Sequence, residues 1–238
     1  MGVFDFMMSE EKKIAKHVRR LTNRDKQPED REASAVWLAE QGSPQALIGM
    51  LSRFDVSLDQ SIKDQGEKDQ LFALAVRVGE PMVAPCKAWL LQCKSVARPL
   101  ALLERLLSEE AAIQAAYEVL EVEREHGNDF KPDKKKAVLI WLTDRKHTGA
   151  VEAVLPLLSD FDEGVRYAAV EVIAAQDGEH GVDGLLDLLL DPEEESNRLR
   201  ARICEVFAAR SWSVEARAAE LESAMPDGFA VRDGRIVA

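Results

Sequence analysis

The chain has 238 residues, 46% of them hydrophobic and only 6% aromatic, and 43 acidic residues against 31 basic ones give a formal net charge of −12. Such a chain is long and apolar enough to bury a core, which argues against disorder. Its acidity disfavours a nucleic-acid partner, because phosphates draw much of their affinity from Lys and Arg. The low aromatic content and abundant Ala and Leu favour helix over sheet. Cys86, Cys93 and Cys204 are an odd number with no CxxC pair, so a disulfide framework and a structural zinc site are both disfavoured. A reduced, cytoplasmic setting is expected. The longest apolar run, AVLIWL at 137–142, is too short to cross a bilayer. Gly2 would invite myristoylation, but Phe6 stands where that motif needs Ser or Thr.

Taken in chain order, residues 1–27 are expected to form an N-terminal cap. Within them SEEKKIAKHVRRLTN, 9–23, reads as an amphipathic helix with Ile14, Val18 and Leu21 on one side, preceded by apolar Val3, Phe4, Phe6, Met7 and Met8. From 28 to 224 the pattern is helix, break, helix. In the first unit, 29–55, Ala35, Leu38 and Ala39 fall at helical spacing and GSP breaks the chain. Leu47, Ile48, Met50 and Leu51 begin a second stripe, with Pro44 suited to its first turn. Residues 56–66 and 126–132 read as loops. Further units are expected at 67–94, 96–125, 133–159, roughly 162–190 and roughly 195–223. Trp37 and Trp141 take equivalent places, and LSRFD at 51–55 returns as LSDFD at 158–162. The C-terminal segment, 225–238, holds Asp233-Gly234 between short alternating runs, a hairpin-turn signal.

About six helical hairpins at a spacing of 30-odd residues predict an all-α solenoid with an N-terminal capping helix and a short C-terminal β-hairpin. In the fifth unit, Asp162 suits an N-cap and Val165, Ala169, Val172 and Ile173 make a stripe that only a neighbouring hairpin can cover. A cation recurs at one place per unit, as Arg31, Lys135, Arg166 and Arg200, with Lys68 and Arg98 as looser matches. Together with Asp162 these predict a structural ladder of cations reaching a neighbour's carboxylates or helix-end carbonyls.

The run LSDFDEGVRYAAVEVI resembles the short bacterial HEAT repeat, also found in phycobilin-lyase-like proteins, whose pattern is roughly L-x-D-x-D-x-x-V-R-x-x-A. Leu158, Asp160, Asp162, Val165, Arg166 and Ala169 take that pattern's places. The match is strong in the fifth unit, fair in the first, fourth and sixth, and poor in the second and third. Over its length the chain is similar to bacterial HEAT-repeat proteins of comparable size. The resemblance implies an α-solenoid that binds partners and carries no catalytic residue over.

No coherent catalytic set is visible. His17, His126, His147 and His180 are scattered, and there is no His-Glu dipeptide of the kind that builds the di-iron site of deoxyhypusine hydroxylase. Glu125-His126 and Glu179-His180 are in reverse order, near turns. The HEAT-like alkylpurine glycosylases use a basic concave face that the acidity here opposes. No phosphate-binding glycine loop or nucleophile motif occurs. Cys86 and Cys93, seven apart beside Leu90, read as small core residues. No metal and no cofactor are expected.

Charge is more informative. Residues 152–195 hold thirteen acidic side chains against Arg166 alone. His180, Asp183, Asp187 and Asp191 fall three and four apart, predicting one outward stripe on the second helix of unit five. Its functional reading is a docking surface for a basic partner, and its plain reading is a solvated face. Basic counterparts lie at 12–26 and at Lys134, Lys135 and Lys136, three lysines that oppose the dipole of a first helical turn. The leading expectation is a non-enzymatic protein–protein scaffold that uses its concave face and the acidic stripe. Alternatives are a ligand-binding protein or enzyme of the bilin-lyase-like kind with a site in the groove, and nucleic-acid binding through 12–26 and 131–136. The N-terminal helix could instead touch an anionic membrane, and the opposed charge blocks would permit self-association.

Overall fold

A computed structural model describes residues 9–128, 130–222 and 224–238. Gly2 and the apolar residues from Val3 to Met8 lie outside the described residues. Thirteen α-helices and one two-stranded sheet make up the regular structure among the described residues, an all-α fold of stacked hairpins in the manner of an α-solenoid. The chain divides into two compact units, Met1–Val119 and Leu120–Ala238.

In the first unit, α1 (Glu10–Thr22), α2 (Pro28–Gln41), α3 (Pro44–Leu51), α4 (Ser61–Val78), α5 (Val83–Gln92) and α6 (Ala97–Leu106) follow the expected hairpin pattern. α2, α4 and α6 pack as one layer, α3 and α5 as the other, and α1 lies against α2 and α3. Local chemistry sets the ends. Ser43 caps α3 by accepting from the Ala46 N–H, with Pro44 at the first turn. Gly49 lets α1 approach α3, since a Cβ there would sit 2.4 Å from Val18 Cγ2. Of the expected α1 stripe, Leu21 is buried while Ile14 and Val18 are half-buried. His17 stacks on Trp37 with ring centroids 4.1 Å apart. One loop expectation fails: α4 begins at Ser61, well inside 56–66. The early start carries Asp64 into the core, where it is paired (see below).

α7 (Glu109–His126) contains the division between the units. The second unit continues with α8 (Asp133–Thr143), α9 (Ala150–Val154) with a 3-10 turn at Leu155–Ser159, α10 (Glu163–Ala175), α11 (Val182–Leu190) and α12 (Asn197–Arg210). α8, α10 and α12 form one layer, while α9 with its 3-10 turn and α11 form the other. Asp162 and Ser196 cap α10 and α12 by accepting from Val165 N and Leu199 N. Val165, Ala169, Val172 and Ile173 are all buried, as the stripe required. Fully burying a valine or isoleucine of this stripe is worth roughly 1.5–3 kcal/mol.

The sixth hairpin is truncated. After α12 the chain passes through Ser211 in the left-handed region, and only a 3-10 turn at Glu215–Arg217 and α13 (Ala218–Leu221) follow. β1 (Ala230–Arg232) and β2 (Arg235–Val237) then form the expected hairpin, with Asp233 and Gly234 both at positive φ (48° and 68°). That pair of positive φ values is the turn geometry that matches strand twist. β2 packs on α12 and buries Ile236, covering the last apolar face.

Candidate functional site

The recurrent cations occupy repeated positions in the second unit. Lys135, the third residue of α8, is 2% exposed, and its Nζ lies 2.5 Å from Asp160 Oδ2. Arg166, on α10, donates from Nε and Nη2 to the carboxylate of Glu194 at 2.7 and 3.1 Å. Each acceptor sits in the loop just ahead of the next first-layer helix. Each also receives the N–H of the capping residue two positions on: Asp162 N to Asp160 at 3.0 Å and Ser196 N to Glu194 at 2.8 Å. Arg166 Nη1 meanwhile donates to the carbonyl of Asp160 at 2.8 Å. Each carboxylate is therefore held by the preceding hairpin's cation and by its own cap. Arg200 repeats only half of this. Its Nη2 reaches the carbonyl of Asp191 at 3.0 Å, and its buried Nε has no hydrogen-bond partner among the described residues. Further ties between α10 and the α12 region join Arg198 to Glu163 and Arg202 to Glu171.

The first unit gathers its charges into one buried cluster. Arg31, 4% exposed, grips Glu67 through Nε at 2.8 Å and Nη2 at 2.5 Å, and donates Nη1 to the carbonyl of Lys26. Arg53, 1% exposed, donates one nitrogen to Asp64 at 2.7 Å and to Glu67 at 3.1 Å. Lys68 completes it, 2.8 Å from Asp64. The hydrogen bond from Arg31, joined by that from Arg53, outweighs burial and holds the Glu67 carboxyl below its ordinary value. Burial alone would raise Asp64, but the hydrogen bonds from Lys68 and Arg53 win and hold it low. The guanidinium of Arg31 is pushed the other way, upward, by its bond to Glu67. Arg98 reaches back to Gln65 and Asp69 on α4.

The acidic stripe is smaller than the spacing predicted. α11 runs only from Val182 to Leu190, so His180 and Asp191 fall outside it and only Asp183 and Asp187 share its outward face. Gly181 stands at the N-cap and Pro192 follows the C-cap Asp191, which limits the helix at both ends. All four side chains are nevertheless exposed. Asp187 is not free: Arg217 lies 2.5 Å away and also pairs with Glu220. Asp187, Asp191 and Arg217 share the wall of a cavity of about 470 Å³ with Leu155, Leu158 and Leu188.

The three lysines of α8 do not form an open basic patch. Lys134 pairs with Glu123, Lys135 is buried on Asp160, and Lys136 lies between Asp162 and Asp133. Nearby carboxylates thus offset the dipole cost. On α1 and beyond, Lys12, Lys16, Arg19, Arg24 and Lys26 are exposed, while Arg20 pairs with Asp30. All three cysteines are buried thiols, with Cys93 at the C-cap of α5 rather than within it. Burial pushes Cys86 and Cys204 up to about 12. His126 is exposed beside Glu125, and His180 lines a shallow cavity with His147, Gln176 and Asp177. Among the described residues no three His, Cys, Asp or Glu side chains cluster as a metal site, and no helix is long and apolar enough to cross a membrane.

Sequence reasoning missed Arg53, Asp64, Glu67, Glu194 and Arg217. Glu194 had a readable signal, since it precedes the cap Ser196 by two positions just as Asp160 precedes Asp162. Arg217 had none, because only folding brings it to Asp187, 30 positions away.

Residues 125–206 match the family model of HEAT repeats. The matched stretch lies in the second unit and covers α8 to most of α12, where the cation–carboxylate geometry repeats. No curated protein and no solved structure matches the chain. HEAT repeats commonly serve protein–protein interaction, and the match spans about a third of this chain.

Proposed function

We propose that the chain is a non-enzymatic scaffold whose second unit docks a basic segment of a protein partner on the face carrying Asp183, Asp187 and Asp191. The observation that carries this reading is Arg217. A guanidinium of the chain itself already rests on Asp187, at the edge of a leucine-lined cavity that also holds Asp191. Leucines that can take an aliphatic stem, with carboxylates that can take its charged head, suit an arginine or lysine side chain. The excess of acid over base from 152 to 195 would steer such a partner toward this face. Shallow, solvent-open carboxylates give specificity and association rate more than affinity, so the complex should be salt-sensitive.

The test is titration of a fluorescent arginine-rich peptide, with a glutamate-rich peptide as control, at low and physiological salt. Asp183→Asn, Asp187→Asn and Asp191→Asn combined should weaken binding about tenfold or more at low salt. Equal binding of both peptides, or a triple variant that binds as the parent does, would remove the reading. Affinity purification with the parent and triple variant as paired baits would then name the partner by what only the parent retains.

A further inference from the structure

In the first unit, α2 and α4 leave a half-open cavity of about 380 Å³ between them. Its walls are mainly apolar, with Leu21, Ala35, Val36, Leu71 and Leu74 among them. Its charged members are Arg31, Arg53 and Arg77 against Glu32 and Glu67, which leaves one positive charge in excess. The buried cluster at its floor shows the same imbalance. Arg31, Arg53 and Lys68 pair with Asp64 and Glu67, with exposed Glu29 acting on Arg31 from outside the cluster, and all five but Glu67 are less than a tenth exposed. An uncompensated buried charge is costly, so a site of this kind gains when an anion enters. Two further observations point the same way. The buried Nε of Arg53 has no hydrogen-bond partner among the described residues. Arg77 is exposed at the rim and makes no ion pair among the described residues.

We propose that this cavity binds a small apolar monocarboxylate, its hydrocarbon part on the leucines and its carboxylate on the arginine side of the cavity. The volume falls within the range usual for small-molecule sites, and an apolar wall with a few convergent polar groups is their usual make-up. Carboxylate is favoured over phosphate for two reasons. Arg31 and Arg53 already spend donors on Glu67, Asp64 and backbone carbonyls, so the ligand chiefly meets the single planar guanidinium of Arg77, whose fork suits one carboxylate. A dianion would also meet Glu32 and Glu67, whereas one negative charge balances the excess.

The experiment is calorimetric titration of the full chain with octanoate, using octanol and octylammonium as controls of equal length. Octanoate should bind about tenfold or more tightly than octanol, and octylammonium should not bind. Arg77→Gln, an exposed change, should weaken octanoate about tenfold without altering thermal unfolding of the free protein. Ala73→Trp, which fills the cavity from its rim, should abolish binding. A parallel titration with acetylated dileucine and its amide separates a peptide C-terminus from a free acid as the source of the carboxylate. The proposal is overturned if octanoate gives no binding up to about 10 mM, if octanol binds equally well, or if neither variant changes the titration. Peptide docking on the acidic face is unaffected by any of these outcomes.

Discussion

The same five-letter phrase stands at 51–55 as LSRFD and at 158–162 as LSDFD, and the two copies do different things. In the second unit, Asp160 receives Lys135 from the preceding hairpin, Phe161 is 72% exposed, and Asp162 caps α10. In the first unit the third letter is Arg53. It cannot receive a cation, so Arg31 turns to Glu67, and Glu67 and Asp64 must also neutralise Arg53. Phe54 is 3% exposed under the guanidinium of Arg98. Asp55 accepts from Lys94 and Ser95 in the loop ahead of α6 instead of capping its own next helix. One change of charge sign thus converts a series of one-to-one contacts into a five-membered cluster. It also explains why α4 starts early, since its first turns must deliver Asp64 and Glu67.

The sharpest way to break this comparison is to exchange the third letters. Arg53→Asp would leave three acids facing Arg31 and Lys68, and Asp160→Arg would drive a guanidinium against buried Lys135. Each should cost about 4 kcal/mol or more, the scale of breaking a buried pair and leaving a like charge behind. Urea unfolding read by tryptophan fluorescence measures both, with Trp37 and Trp89 reporting on the first unit and Trp141 and Trp212 on the second. Loss of less than about 1 kcal/mol in either variant would mean that the sign of this letter does not organise its unit.

Next in size is the fourth letter of the first unit. Phe54→Ala removes a buried ring and should cost about 3–4 kcal/mol by the same measurement. A value near zero would show that Phe54 is as dispensable as its exposure suggests Phe161 to be.

The hairpins themselves were legible because apolar periodicity, Pro44 and the capping Asp162 are local signals. The loop carboxylates of the second unit carry a local signal too, two residues ahead of a cap, but Glu194 went unread because its Arg166 partner lies 28 positions away. Residues 56–66 misled because Asp64 reads as a solvated loop residue when its partners, Arg53 and Lys68, are not seen together. The acidic stripe misled because spacing alone extends a helix through Gly181 and past Leu190, where the backbone ends it. What a sequence hides here is the partner of each charge, and in the first unit that partner decides where a helix begins.

Acid should separate the units further. Asp64 and Glu67 titrate below their ordinary values of 3.8 and 4.5. The folded chain therefore binds fewer of these protons than the unfolded one between the depressed and the ordinary values. Their contribution is complete above the ordinary values and is lost as pH falls through the depressed ones. Glu67→Gln should flatten the fall of first-unit stability with decreasing pH below about 4.5. Identical pH slopes for parent and variant would exclude Glu67 as the group responsible.

The smallest effects belong to the fifth and fourth letters of the second unit. Asp162→Ala deletes a cap and should cost about 1 kcal/mol. Phe161→Ala should stay within about 0.5 kcal/mol, because its ring is mostly in water and meets the still more exposed ring of Phe130 with centroids 5.8 Å apart. That contrast with Phe54 matters for how the repeat is read. If Phe161→Ala proved as costly as Phe54→Ala, the fourth letter would have the same packing role in both copies. The difference between the two copies would then rest on the third and fifth letters, Arg53 against Asp160 and Asp55 against Asp162.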